Sequence, residues 1–182
     1  MKLENGIKER RSIRKYSERE VTEDTIREIL DLSRFSPSWK NTQVVRYHII
    51  KNRDMKEKIA KNCVLSFDFN AKTIVRSNAL VIISVVKDTS GYEKDGSFST
   101  SQQDRWEMFD AGIATQTFCL AAHLKGVGSV ILGVFDEEKI RQYIDIPENE
   151  KVTNLIAIGY PLDQPKSAPP RKSVEEISSF VL

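Results

Sequence analysis

Arg10-Arg11-Ser12-Ile13-Arg14 puts three guanidiniums and a hydroxyl within five residues. Such a strip can clamp a phosphate through bidentate, charge-assisted hydrogen bonds. It also fits a solvated basic patch or a basic arm on nucleic acid, because short basic runs say little alone. Ile13 and Tyr16 favour the clamp, since apolar anchors would hold its charges in place. A second stretch, Ser36-Pro37-Ser38-Trp39-Lys40-Asn41-Thr42-Gln43, is dense in amides and hydroxyls and carries one large aromatic. By itself it reads as a helix-breaking loop. The third, Leu132-Gly133-Val134-Phe135-Asp136, runs from a strand through glycine into a helix cap. Glycine there permits close backbone approach to a planar ligand, or simply a turn.

Other chemistry has few residues to work with. His48 and His123 are the only histidines, and neither has a partner at metal-ligand or triad spacing. His48 falls inside a strand pattern. His123 falls in the last turn of a helix, where a cation is favoured. Cys63 and Cys119 form no CxxC pair and read as two buried, reduced thiols. A formal charge of +2 is too small to imply a nucleic-acid or membrane partner. The longest apolar run, Ala79 to Val86, has strand length rather than membrane-span length. The first residues lack the apolar core of a signal peptide, so a cytoplasmic protein is expected.

The elements that must carry these residues alternate between helix and strand. A short helix is expected over Leu3–Arg10. A better one follows, capped by Thr22, with Glu23 and Asp24 in its first turn and Val21 stapled against Ile26. Pro37 ends it. Val44–Ile50 reads as a strand, and Asn52 caps a helix with Met55, Ile59 and Cys63 on one side. SFDFNAKTIVRSN is ambiguous, whereas Ala79–Val86 is a buried strand by its β-branched run. Asp88–Gln103 is a polar loop, long enough for a lid or a mobile edge.

Asp104–Lys125 is the longest helical pattern, with Phe109, Ile113, Gln116, Leu120 and Leu124 along one face and Gly126 as its C′ residue. Ser129–Phe135 and Val152–Gly159 are further strands, with Asp136 capping a helix between them. The tail from Tyr160 is rich in proline and lysine until a last segment, Ser173–Val181. A single domain over residues 1–182 is expected, built as an α+β or α/β three-layer fold. The segment from about 165 to 182 lacks a core of its own and needs another surface.

Arg10–Arg14, the SPSWKNTQ loop, the helix DAGIATQTFCLAAHLKG, the LGVFD strand end, and IAIGYP followed by Arg171-Lys172 stand in a telling order and spacing. From Ile7 to about Ile177 the chain resembles the nitroreductase family of FMN flavoproteins. The resemblance implies a three-layer α+β fold with a mixed or antiparallel central sheet, in an interlocked homodimer with two FMN sites at the interface. It implies that Arg10, Arg11, Ser12 and Arg14 bind FMN phosphate and ribityl, with one cation near the flavin N1–C2=O edge. Pro37, Ser38 and Asn41 match a loop that reaches the flavin from the neighbouring subunit. Gly133 matches the place where a backbone N–H faces flavin N5, with Leu132 and Val134 beside it. Asn70 matches an asparagine at the flavin edge, and Arg171 a C-terminal cation on the phosphate, with Lys172 as its substitute.

The implied function is FMN-dependent oxidoreduction, in which NADH or NADPH reduces the flavin at N5 and an acceptor such as a nitroaromatic or quinone reoxidises it in a ping-pong cycle. A flavin-sequestering protein without turnover is the alternative, because function lives in the site rather than the fold. No catalytic side chain and no metal are required. Three departures from the family pattern are Val44-Val45 for Pro-Trp, Gly133-Val134 for paired glycines, and Trp39 for a small residue. Trp39 and Val134 therefore reshape the substrate face. The short polar loop before Trp106 makes the site more open.

Overall fold

The computed structural model describes residues 2–164 and 167–181. Strand β2 (Ala79–Val86) forms the centre of a four-stranded sheet, whose order is β1 (Val45–Ile50), β2, β4 (Glu150–Gly159), β3 (Gly128–Leu132). Every pairing is antiparallel. Of the two sheet types left open by the sequence, the antiparallel one forms. The unbroken apolar run of β2 has a direct cause. Leu80 and Ile82 face one core while Ala79, Val81 and Ile83 face the other, so both sides must be apolar.

Two layers of helix cover the sheet. On one side α3 (Arg53–Asn62), α4 (Asp68–Arg76) and α6 (Glu137–Arg141) contribute Ile59, Ile74 and Ile140. On the other, α2 (Glu23–Ser33) and α5 (Arg105–Leu124) contribute Ile26, Ile29, Phe118 and Ala122. Burying each large aliphatic contributes about 1.5–3 kcal/mol, so neither layer is dispensable. The expected three-layer α+β architecture is what forms. α1 (Leu3–Glu9) and α7 (Val174–Ile177) lie outside the two cores.

The local signals work as expected where a side chain makes them. Thr22 Oγ1 accepts from Thr25 N–H, Asn52 Oδ1 from Met55 N–H, and Asp136 Oδ1 from Lys139 N–H. Each satisfies a helix-end donor and is worth about 1 kcal/mol. Gly126, at φ 73°, closes α5, with Val127 N–H donating to Ala122 C=O and Gly126 N–H to His123 C=O.

Two expectations need correction, the free Asp88–Gln103 loop and the extent of the third strand, and two elements gain detail. The face of α5 that enters the core carries Asp110, Ala114, Thr115, Phe118 and Ala122, while Phe109 and Leu124 stay exposed. Buried polar groups make this possible, for example Thr115 Oγ1, which donates to Asn154 Oδ1. The Asp88–Gln103 loop is fastened rather than free. Its Asp88 N–H donates to Glu107, its Ser90 hydroxyl to Asp110, and its Thr100 hydroxyl accepts from Trp106 Nε1. Only Val174–Ile177 of the last segment is helical, started by a capping box between Ser173 and Glu176. β3 stops at Leu132, so Gly133 to Phe135 have left the sheet. Within the tail, Pro165, Lys166 and Leu182 lie outside the described residues.

Candidate functional site

The basic strip is seated on the rim of the sheet by its neighbours. Ile13 N–H donates to Ser129 C=O at 3.0 Å, and Ser12 bridges Ser129 in parallel sense, so the strip runs beside the start of β3. Tyr16 Oη donates to Ile13 C=O at 2.6 Å and lies 3.1 Å from Ala157 C=O, which pins the strip to β4. Burial pushes the Tyr16 hydroxyl well above its ordinary pKa, outweighing the opposing effect of Arg14, so it stays a neutral donor.

Arg10, Arg11, Ser12, Arg14, Lys15 and Arg171 line one cleft of about 590 Å³. Asp163 is the one acid among the lining residues. The structure thus joins the N-terminal strip and the C-terminal Arg171, which are far apart in sequence. Arg11 differs from the others. Its Nη1 donates to Lys8 C=O at 2.7 Å and Arg10 C=O at 2.8 Å, at the C-terminal end of α1, so part of its donor set goes to the backbone. Its Nε is buried without a partner among the described residues.

From the strip the site continues toward the end of β3. The Arg14 guanidinium lies 5.5 Å from the centre of the Phe69 ring. The next residue, Asn70, is buried, and its Nδ2 donates to Val134 C=O at 3.3 Å. Arg14, Phe69, Asn70 and Val134 therefore form a connected wall running from the cationic cleft to the Leu132–Val134 strand end. Leu132 turns its side chain into the core. Above Gly133 a β-carbon would meet nothing within 4 Å, so its backbone faces open space.

Pro37 and Ser38 lie elsewhere, on a second cleft of about 660 Å³ with Leu30, Arg46 and Tyr47. The two clefts share no lining residue. One chain does not bring Pro37, Ser38 and Asn41 to the cationic cleft. Their loop is tightly wound: Lys40, Asn41 and Gln43 have φ of 44°, 56° and 51°. Left-handed backbone at a non-glycine residue costs about 1–3 kcal/mol and persists only where surrounding contacts impose it. Trp39 packs against Trp106 with centroids 4.3 Å apart and planes inclined by 38°, and Val44 is buried against Val85 and Ala111. Two of the three sequence departures thus belong to this loop and its anchorage.

Both histidines have partners distant in sequence or surroundings set by burial. His48 Nε2 lies 2.9 Å from both Ser84 Oγ and Glu150 Oε2, partners 36 and 102 residues away that spacing could not reveal. Ser84 is fully buried, so the cluster offers no accessible nucleophile and fastens β1 to β4. His123 is not a favoured cation. Burial lowers its pKa, Glu9 opposes this, and Arg10 and Arg11 add to it. Both cysteines are buried and free, and burial pushes the Cys63 thiol up to about 11. Sequence reading missed Lys15 beside the strip and the role of Asp110, whose partners are 20 and 71 residues away. No helix is long and apolar enough to cross a membrane among the described residues.

Comparison with known proteins places the chain in a family. A relative from Methanothermobacter thermautotrophicus, provisionally named an NADH dehydrogenase/NAD(P)H nitroreductase, is 36% identical over 169 residues, covering 91% of this chain and 80% of its own. A nitroreductase family protein from Clostridium novyi NT superposes with a TM-score of 0.77 at 26% identity, covering 92% of this chain and 89% of that one. A Desulfovibrio desulfuricans protein solved in complex with FMN has the same fold, with a TM-score of 0.77, 20% identity, and 100% and 98% coverage. The Nitroreductase family matches residues 7–75 and 68–160, and the chain belongs to that family.

Proposed function

We propose that this chain is an FMN-dependent oxidoreductase that takes reducing equivalents from NADH or NADPH and delivers them to a small acceptor such as a nitroaromatic or quinone. The observation that carries the reading is the convergence of Arg10, Arg11, Arg14, Lys15 and Arg171 on one cleft, joined through Phe69 and Asn70 to the open backbone at Gly133. The donor set fits the cofactor. A phosphate requires several fixed cationic donors, and the cleft supplies them, with the Ser12 hydroxyl beside them. A planar ring requires an unobstructed backbone edge, which Gly133 provides. Support also comes from the FMN-bound structure of the same fold.

Bound FMN would supply the hydride chemistry that links NAD(P)H to the acceptor in a ping-pong cycle. The residues of this chain bind and orient. Arg10, Arg14 and Arg171 hold the phosphate end, and Ser12 the ribityl. Asn70 and the Leu132–Val134 backbone border the ring. The excess positive charge of the strip lowers the cost of the negative charge that reduction adds. Pro37, Ser38 and Asn41 reach the ring of a second copy, which makes the working unit a homodimer and accounts for their separation from the cationic cleft in one chain.

Purified protein should be yellow and release FMN rather than FAD on denaturation. Stopped-flow mixing with NADH and NADPH, followed by an acceptor panel, should bleach and then restore the colour. Colourless protein that cannot be reconstituted with FMN overturns the reading. Bound FMN that neither donor bleaches would instead identify a flavin-sequestering protein.

A further inference from the structure

The geometry points to Asp110 as the positioning residue for the Ser36–Gln43 loop, holding Trp39 against Trp106 as a fixed aromatic wall and setting the direction in which Ser38 and Asn41 are presented. Asp110 is 1% exposed, in the second turn of α5, and so can touch neither cofactor nor acceptor. Its two carboxyl oxygens accept the same backbone donor, Trp39 N–H, at 3.0 and 3.1 Å. Oδ2 also accepts from the Ser90 hydroxyl at 2.7 Å. One buried carboxyl group thus ties two loops to the helix. No cation lies within ion-pair distance of it among the described residues.

The remaining bonds of the loop do not substitute for this tie. Ser38 Oγ accepts from Gln43 N–H, Asn41 N–H donates to Ser38 C=O, and Thr42 N–H donates to Trp39 C=O. These shape the loop internally and leave its orientation on the body open. At its two ends the loop is also tied by Ser36, whose N–H and hydroxyl donate to Ser33 C=O, and by Gln43 C=O, which accepts from Arg46 Nη1. Between these ends its outward contacts besides Asp110 are the Trp39–Trp106 ring pair and the exposed Lys40 ammonium on Glu93 and Ser99. Exposed pairs contribute little. The ring pair needs Trp39 to be delivered to Trp106, which sits one turn before Asp110 on the same helix. Donor and ring therefore meet α5 within one turn: the carboxyl group captures the backbone of Trp39, and the indole of Trp106 receives its ring. A bond to backbone rather than side chain fixes the path of the chain itself, the quantity that decides where Ser38 and Asn41 point.

The consequence for cofactor binding rests on the function proposed above, whereas the hold on the loop does not. Two indoles this close and mutually inclined give an exciton couplet in far-ultraviolet circular dichroism, which reports their relative orientation independently of stability. Asp110→Ala should abolish the couplet and weaken FMN binding about tenfold or more, with the dimer mass unchanged. Asp110→Asn keeps one acceptor oxygen and should fall between; it decides the matter if the alanine variant does not fold. Ser90→Ala removes only the bond from the Asp88–Gln103 loop and should keep both couplet and affinity. A couplet that persists in both Asp110 variants overturns the proposal, as does a lost couplet with FMN affinity unchanged. If the wild-type protein holds no FMN, the proposed function fails, and the couplet alone decides whether Asp110 holds the loop.

Discussion

Ile13 occupies the space where Gly128 would carry a β-carbon: such an atom would lie 2.7 Å from Ile13 Cγ1 and 2.8 Å from its Cβ. Since Ile13 N–H donates to the adjacent Ser129 C=O, the side chain cannot retreat without pulling the basic strip off β3. Gly128→Ala should therefore destabilise the fold by about 1–3 kcal/mol, the usual range for overpacking, visible as a lower urea midpoint. Adding Ile13→Ala should recover part of that loss, because it opens the space the methyl needs. A single Gly128→Ala variant as stable as the parent would show that the strip is not pressed against the sheet.

Arg10 and Arg171 approach one cleft from opposite ends of the chain. Under the proposed function both face phosphate, so either change to alanine should weaken FMN binding rather than the chemical step. A lost charge-assisted hydrogen bond is worth about 1.5–3 kcal/mol, or about one to two decades in affinity. Fluorescence titration of apo-protein measures this. Unchanged affinity in both variants would place the phosphate elsewhere.

What could be read in the sequence depended on how far each partner lies along the chain. Thr22, Asn52 and Asp136 cap helices whose donors are three residues away, and each was legible. α4 was not, because Phe67 stands at its N-cap with no side-chain acceptor and Leu65 and Ser66 enter it in left-handed backbone. The core face of α5 is not singled out by the sequence for a related reason. Apolar periodicity selects Phe109, Ile113, Leu120 and Leu124, whereas the buried face includes Glu107, Asp110 and Thr115, each satisfied by a distant loop or strand. Of the candidate site, the resemblance supplied the members, and the structure showed which of them one chain brings together. Arg10, Arg14 and Arg171 converge and Asn70 meets Val134, but Pro37 and Ser38 open on another cleft.

His123 links the clamp to acid stability. Its pKa is lowered chiefly by burial, with Glu9 opposing and Arg10 and Arg11 reinforcing the shift. The folded protein therefore binds this proton less readily than the unfolded chain. The associated stability is fully present above the unfolded value of about 6.5 and is lost as pH falls through the lower folded value. The denaturation midpoint should decline across that window, and His123→Gln should flatten this part of the profile. A decline of equal size in the variant would assign it to other groups.

The proposed homodimer makes the last claim, because the site depends on it. α5 gives one face to the core, yet Phe109 is 57% exposed, and Leu124 lies exposed on the same outward side. A helix apolar on more than one side needs cover on more than one side. The tail presents the same demand: Ile177, Phe180 and Val181 are 70%, 80% and 99% exposed in a single chain. Neither surface is one that a monomer commonly leaves in water. An obligate interface of about 2,000 Å² or more would cover both and would bring the Ser38–Asn41 loop of one copy to the cationic cleft of the other. The dimer should persist at nanomolar concentration in sedimentation. Truncation before Ser173 should loosen dimer and FMN together, since the two share one surface. A Phe109→Glu variant should weaken association without entering the core, because that side chain already points outward. A monomer that still holds FMN tightly at nanomolar concentration would refute the shared site, whatever family the chain belongs to.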